Sequence, residues 1–310
     1  MDLSIVIVSW NTRALLADCL GSLATACGDL THEVLVVDNA SADGSPDMVQ
    51  ADFPHVRLIP SGGNLGFSKG NNLAFPHTSG DFVLLLNPDT VCPAGSLAAL
   101  VAFARTRDNL GVAGPMLTDA QGAPTISYGF FPRPRHHWLS FLDPGRILNK
   151  PPFQNRVVHV PAADEPSAEV EYIAGACFLM PRAALDRVGH LDERFFMYFE
   201  ETDWCWRARQ AGLTAWYCAE VKVAHLEGQA AARVSRFSLL QLQKSYRLFV
   251  AKNYGPHQVW KFRVAQFLEY GLKWLLRRLL PGEKNRMLAA NFRDRASVQL
   301  QASVDVEIPS

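Results

Sequence analysis

Asp81-Phe-Val-Leu-Leu-Leu-Asn-Pro-Asp89 is the stretch that decides the fold. Residues 82–86 form an unbroken apolar run, long enough for a strand and too short for a stable helix. A strand apolar on both faces belongs inside a parallel sheet covered by helices on either side. The run stops at Asn87-Pro88-Asp89, because proline cannot donate to a ladder and asparagine and aspartate favour turns. Open α/β sheets take ligands in the crevice beyond the carboxyl ends of their strands. Asp89 is therefore expected over that crevice, where a carboxylate suits a hard cation such as Mg2+ or Mn2+ held against a diphosphate. Taken alone, the tripeptide reads more simply as a turn. Its surroundings change that reading.

Working outward, Leu3-Ser-Ile-Val-Ile-Val-Ser-Trp-Asn11 reads as a first buried strand with a polar end. Leu15, Leu16, Cys19, Leu20 and Leu23 follow at helical spacing. Glu33-Val-Leu-Val-Val-Asp-Asn39 is a second buried strand, again ending in acid and amide. The turn Ala40–Ser45 can cap a short helix around Asp47–Gln50. Val56–Ile59 is a third strand, and the glycines of Gly62–Asn72 permit close backbone approach to a ligand. Strand–helix alternation of this kind predicts an α/β, doubly wound, mostly parallel sheet. Three strands then end in Ser9/Asn11, Asp38/Asn39 and Asn87/Asp89 along one edge, which points to a nucleotide-type site.

Ser4–Asn11, Val37–Ser45, Asn64-Leu-Gly-Phe with Gly70-Asn-Asn72, and Asn87-Pro-Asp89 together resemble the family 2 glycosyltransferases of GT-A fold. Within that family the chain is similar to the rhamnosyltransferase-like branch that builds bacterial surface polysaccharides, over roughly residues 1–255. The resemblance implies that Asp38 and Asn39 contact base and ribose. It also implies that Ser9, Asn11, Asn64, Gly66, Asn71 and Asn87 belong to the nucleotide-sugar site. Asn87-Pro-Asp89 then stands as a variant of the family's Asp-x-Asp metal motif, with Asp89 the better ligand because the first acid is an amide.

In Leu191–Arg207 aromatics crowd around Glu200, Glu201 and Asp203, just before a helix that Gly212 ends. Asp203 and Arg207 have the spacing of an ion pair on one helix face, and acids at a helix start suit its dipole. Carboxylates packed among aromatics are nevertheless costly unless paired or used. The resemblance makes Glu201 the expected catalytic base, with Glu200 and Asp203 positioning acceptor and helix. It also makes His225, at the end of the strand Val221–His225, the second metal ligand beside Asp89. Glu171–Met180 reads as one buried strand, which the resemblance implies runs below the acceptor site. Between residues 120 and 170, Arg133, Arg135, His136 and His137 sit in proline-punctuated loops, readable as solvated or as touching an acceptor phosphate.

The six cysteines include no Cys-x-x-Cys pair and no secretory leader precedes them, which predicts a cytoplasmic setting without disulfides or structural zinc. A formal net charge of zero hides an asymmetry: residues 1–230 carry 16 Lys/Arg against 25 Asp/Glu, and residues 231–295 carry 14 against 3. The first 230 residues read as the catalytic domain, with a nucleotide-sugar half to about 115 and an acceptor half to 230. Residues 231–310 read as a basic helical extension and tail. In residues 259–280, Gln266, Glu269, Lys273 and Arg277 share one helix face, and Trp260, Val264, Phe267, Leu268, Trp274 and Leu275 another. Such a helix is too charged to span a bilayer. It can lie on an anionic membrane surface, peripheral on the inner face of the cell membrane, or pack on the catalytic domain, and both readings are open.

The expectation is thus an inverting, cation-dependent transferase taking a nucleotide-diphosphate sugar, dTDP-L-rhamnose or a UDP-hexose, to a saccharide or polyprenyl-linked acceptor. A nicotinamide dehydrogenase needs Gly-x-Gly-x-x-Gly after the first strand, where this chain has Ser9-Trp-Asn-Thr12. A nucleotidyltransferase would want a glycine-rich, basic phosphate loop there. A binding protein that kept the fold and lost turnover is the third rival, and nothing resembles a nucleic-acid module.

Overall fold

The computed structural model describes residues 1–133, 157–226 and 236–301. Among these, residues 1–131 and 158–226 form one compact unit, and residues 236–301 belong to a second.

The first unit is built on a nine-stranded sheet. Its parallel half comprises β1 (Leu3–Ser9), β2 (His32–Asp38), β3 (Arg57–Pro60) and β4 (Phe82–Leu86), in the spatial order β3-β2-β1-β4. Helices α1 (Arg13–Cys27), α2 (Ser45–Asp52) and α3 (Gly66–Ala74) connect them. β4 is buried at every position, as its continuous apolar run requires. Ile5, Ile7, Val34, Val36, Leu84 and Leu86 pack with Leu16, Leu20 and Leu23 of α1, while Val6, Leu35 and Leu85 are buried on the opposite face. β5 (Thr90–Val91), α4 (Ser96–Arg105) and β6 (Leu110–Thr118) follow, then the short strands β7 (Tyr128–Gly129), β8 (Val158–His159), β9 (Ala168–Val170) and β10 (Tyr172–Ile173). The unit continues through β11 (Cys177–Pro181), α5 (Arg182–Val188), α6 (Glu200–Gln210) and β12 (Thr214–His225). Beyond β4 the sheet runs β11-β6-β12-β5, with β9 also on β12. β11 is antiparallel to β4 and β6, so the sheet is mixed but mostly parallel.

Two elements depart from the sequence reading. Glu171–Met180 is not one strand: β10 pairs with β7 in a separate three-stranded sheet, and β11 inserts beside β4. The break falls at residues 174–176, where Ala174 donates its N–H to Ser127 O and Ala176 O accepts from Asn87 N–H, so the segment is shared between two sheets. The last strand begins earlier than Val221, at Thr214, because a register shift between Cys218 and Lys222 lets one long strand accommodate polar residues in its middle.

The second unit contains α7 (Arg236–Tyr254), α8 (Pro256–Arg278) and α9 (Glu283–Leu300). Arg247 of α7 donates to Val298 O at 2.7 Å and Gln301 O at 3.0 Å, tying α7 to the end of α9. Burial and the neighbouring charge of Arg263 pull the Arg247 pKa down to about 10.

Candidate active site

Register brings the polar strand ends level. Ser9 pairs with Asp38 across β1 and β2, and Ile7 with Leu86 across β1 and β4, so Asn87 leaves β4 beside the same edge. The loops beyond are laced together: Asn11 N–H donates to Ser41 Oγ at 3.0 Å, and Asn11 Oδ1 accepts from Ala42 N–H at 2.8 Å. Asn11 adopts a φ of 52°, a conformation asparagine tolerates better than most residues. Ser9 Oγ lies 2.9 Å from Thr12 Oγ1, and Asp38 accepts from Ser41 N–H at 3.1 Å.

The glycine-rich segment closes one side. Asn64 Oδ1 accepts from Gly66 N–H at 3.2 Å, and Asn39 Nδ2 donates to Gly66 O at 3.1 Å. Asn39 and Asn71 are buried, yet the Oδ1 of each finds no hydrogen-bond partner among the described residues. A buried amide oxygen left unsatisfied costs about 1–3 kcal/mol, which a ligand donor or bound water would offset.

At the other end, Asp89 and His225 meet. β12 runs antiparallel to β5 with His225 opposite Thr90, and Leu226 N–H donates to Asp89 O at 2.8 Å. His225 Nε2 consequently lies 3.3 Å from Asp89 Oδ1 and 3.3 Å from Asn87 Nδ2. An oxygen and an imidazole nitrogen side by side suit Mn2+ or Mg2+ as part of a coordination shell. Among the described residues no group of three His, Cys, Asp or Glu side chains could hold a metal. A cation held by Asp89 and His225 would need its other positions filled by phosphate oxygens and water.

The acid pair opens α6. Tyr198 and Phe199 both sit at φ 70°, and two consecutive left-handed side-chain residues are strained by about 1–2 kcal/mol each. Phe199 caps the helix in that conformation, delivering Glu200 and Glu201 to its first turn. Glu200 is buried, and its Oε2 has no hydrogen-bond partner among the described residues, whereas Glu201 keeps partial exposure. Burial, reinforced by the charge of Glu201, pushes the Glu200 carboxyl well above the ordinary range. Burial also raises Glu201, against the lowering effect of backbone hydrogen bonds and the Thr202 hydroxyl. Asp203 is turned elsewhere: its Oδ2 accepts from Arg207 Nε at 3.0 Å, while Arg207 reaches Val188 O and His190 O, each at 2.8 Å. That ion pair ties α6 to the preceding loop.

Gly175 and Ala176 link the two ends. A Cβ on Gly175 would lie 3.7 Å from Glu201 Cβ, and the next residue, Ala176, accepts from Asn87 N–H at 3.0 Å. The acid pair and the Asn87–Asp89 turn thus flank one backbone segment. Sequence reasoning missed two positioning residues. Asn72 exchanges hydrogen bonds with the backbone of Leu191 (Nδ2 to O at 2.9 Å, N–H to Oδ1 at 3.0 Å), and Phe196 O accepts from Phe67 N–H at 2.7 Å. Together they moor the loop before α6 onto α3. Asn72 stood within a quoted motif, but its partner lies too far along the chain for spacing to reveal. Arg135, His136 and His137 lie outside the described residues.

Polar residues level at parallel strand ends, with α6 opening on a buried and a partly exposed glutamate, sit in a mixed, mostly parallel sheet of the GT-A glycosyltransferase type. The profile of glycosyl transferase family 2 matches residues 4–189, more than half of the chain, and the chain belongs to that family. It is 29% identical to the N-acetylglucosaminyl-diphospho-decaprenol L-rhamnosyltransferase of Mycobacterium tuberculosis, over 94% of each chain. The dTDP-rhamnosyl transferase RfbF of Shigella flexneri is 21% identical over 81% of this chain and 80% of its own. Among solved structures, the mannosyltransferase PcManGT from Pyrobaculum calidifontis, in complex with GDP-Man and Mn2+, shares the fold. Its TM-score is 0.56 at 16% identity, covering 96% of this chain and 84% of that one. S. aureus TarS 1-349 with UDP gives 0.54 at 14% identity, over 97% and 90%.

Proposed function

We propose that this glycosyltransferase is inverting and cation-dependent, and that it moves L-rhamnose from dTDP-L-rhamnose to a polyprenyl-linked saccharide at the inner face of the cell membrane. One observation carries the chemistry: the partly exposed Glu201 and the Asn87–Asp89 turn flank the same Gly175–Ala176 segment, and Asp89 of that turn meets His225. Glu201 accepts the proton of an acceptor hydroxyl as that oxygen attacks the anomeric carbon. Burial raises its pKa, which makes it a better base than an exposed glutamate. Asp89 and His225 would hold a divalent cation, which when bound neutralises charge growing on the departing diphosphate. Glu200 is closed off, so a single carboxylate faces the acceptor, and attack opposite to departure inverts the anomeric centre. The donor and acceptor are supported by the full-length likeness to a relative named for rhamnosyl transfer to a diphospho-decaprenol saccharide.

The test is a thermal-shift screen of nucleotide sugars with Mn2+, followed by assay of released nucleoside diphosphate, because a ligand that binds the folded state raises its melting temperature. Stabilisation and turnover with dTDP-L-rhamnose are expected. Stabilisation by UDP-hexoses alone would reassign the donor, and binding without release from any donor would mark a non-catalytic protein.

A further inference from the structure

Helix α8 presents its two faces in the reverse of the usual order. An amphipathic helix normally buries its apolar stripe. In α8 the polar Gln266 and Glu269 are buried beside Phe262 and Ala265, and Lys273 pairs with Glu269 at 2.9 Å with both side chains nearly covered. α9 packs on this side: Tyr270 stacks on Phe292, Arg295 lies 5.8 Å over the Tyr270 ring, and Arg263 donates to Gln299 O at 2.9 Å. The other side leaves Trp260, Val264, Phe267, Leu268, Leu275 and Leu279 exposed, between 37% and 73%. Their spacing traces one stripe along about 28 Å of helix. A contiguous apolar surface of that extent marks a docking face.

Charge selects the occupant. Residues 231–295 carry 14 Lys/Arg against 3 Asp/Glu, and of those acids Glu269 is taken by Lys273 and Asp294 by Arg293. Arg278, near the end of the stripe, lies 5.7 Å over the Trp274 ring and stays exposed, as does Arg286. A second copy of the chain would bring the same positive charge against this one. Anionic headgroups would neutralise it, and tryptophan with leucine suits the depth just beneath them. No helix among the described residues is long and apolar enough to cross a membrane. We infer that α8 lies in the plane of an anionic lipid surface, with its Trp260–Leu279 stripe in the acyl boundary and its basic residues among the headgroups. Docking of this kind rests on the helix itself, whatever the donor sugar. It would also hold the chain on the surface that carries a lipid-linked acceptor.

The experiment is co-sedimentation of the full chain with vesicles of phosphatidylglycerol mixed into phosphatidylcholine, beside vesicles of phosphatidylcholine alone. Binding to the anionic vesicles is expected to fall at least about tenfold on neutral ones and to weaken with added salt. The double variant Leu268→Glu, Leu275→Glu replaces exposed side chains, so its melting temperature should match the parent while vesicle affinity falls at least about tenfold. Equal binding to both vesicle types, or binding that survives the double variant, would overturn the assignment. So would a full chain that stays in the supernatant and doubles its mass in light scattering, which would give the face to a second copy.

Discussion

His225 Nε2 stands 3.3 Å from Asp89 Oδ1, although one ends β12 and the other follows β4. The contact exists because β5, a two-residue strand directly after Asp89, pairs with the final two residues of β12. Replacing either side chain with alanine removes one of the two proposed metal ligands, so Mn2+-dependent binding of nucleoside diphosphate should weaken at least about tenfold while cation-free binding changes little. Asn87→Asp should act in the opposite direction, tightening Mn2+ by adding a carboxylate next to His225. Calorimetric titration with and without the cation checks both. Unaltered Mn2+ dependence in all three variants would remove the metal pair.

Glu201→Gln and Glu200→Gln should separate cleanly. Losing a general base lowers turnover by about 10²–10⁴-fold, which is the expectation for Glu201→Gln with donor binding retained. Glu200 is already driven toward its neutral form by burial, and glutamine imitates a neutral acid, so Glu200→Gln should stay within about tenfold of the parent. The parent's kcat/KM should fall as pH drops through the raised Glu201 pKa, placing the acid limb above the ordinary glutamate value of 4.5. Initial rates from pH 4 to 8 decide it. A limb at or below that value would move the base elsewhere.

Gly66→Ala tests the mooring between α3 and the loop before α6. Gly66 sits at φ 76°, and an added Cβ would come 2.4 Å from Phe196 O, a backbone atom that cannot swing away. Left-handed strain of about 1–2 kcal/mol and overpacking of about 1–3 kcal/mol should together cost more than 2 kcal/mol of stability. Donor affinity should fall as well, because Asn39 is held by Gly66 O. Urea unfolding and nucleotide titration of the variant provide the two measurements.

The parallel half of the sheet was legible because each strand is a short apolar run closed by polar residues, and residues 82–86 match β4 at both ends. Ser9, Asp38, Asn87 and Asp89 followed from that pattern, since strand ends in a parallel sheet share an edge. The meeting of Asp89 with His225 was not derivable from spacing and entered through family resemblance. The division of Glu171–Met180 escaped because an apolar run carries no mark of which sheet its two halves join. Helix α9 was missed for a related reason. The face of α8 that it covers holds the polar Gln266 and Glu269, and the apolar stripe of α8 points the other way, so no apolar pattern announced the packing.

Glu200 also predicts how stability depends on pH. Its folded-state pKa is raised by burial and by the charge of Glu201, so the folded protein keeps a proton that the unfolded chain gives up. Stability from this group is fully present below the ordinary value of 4.5 and declines as pH rises from there to the folded pKa. The partly exposed Glu201, raised in the same direction, adds to the decline. Glu200→Gln cannot ionise and therefore escapes its share. The variant should melt above the parent at pH 7 and level with it near pH 4.5, a difference that scanning calorimetry at the two pH values resolves. Equal melting temperatures at pH 7 would mean that Glu200 ionises at no cost, and with that the explanation for Glu201 as the sole working carboxylate would fall.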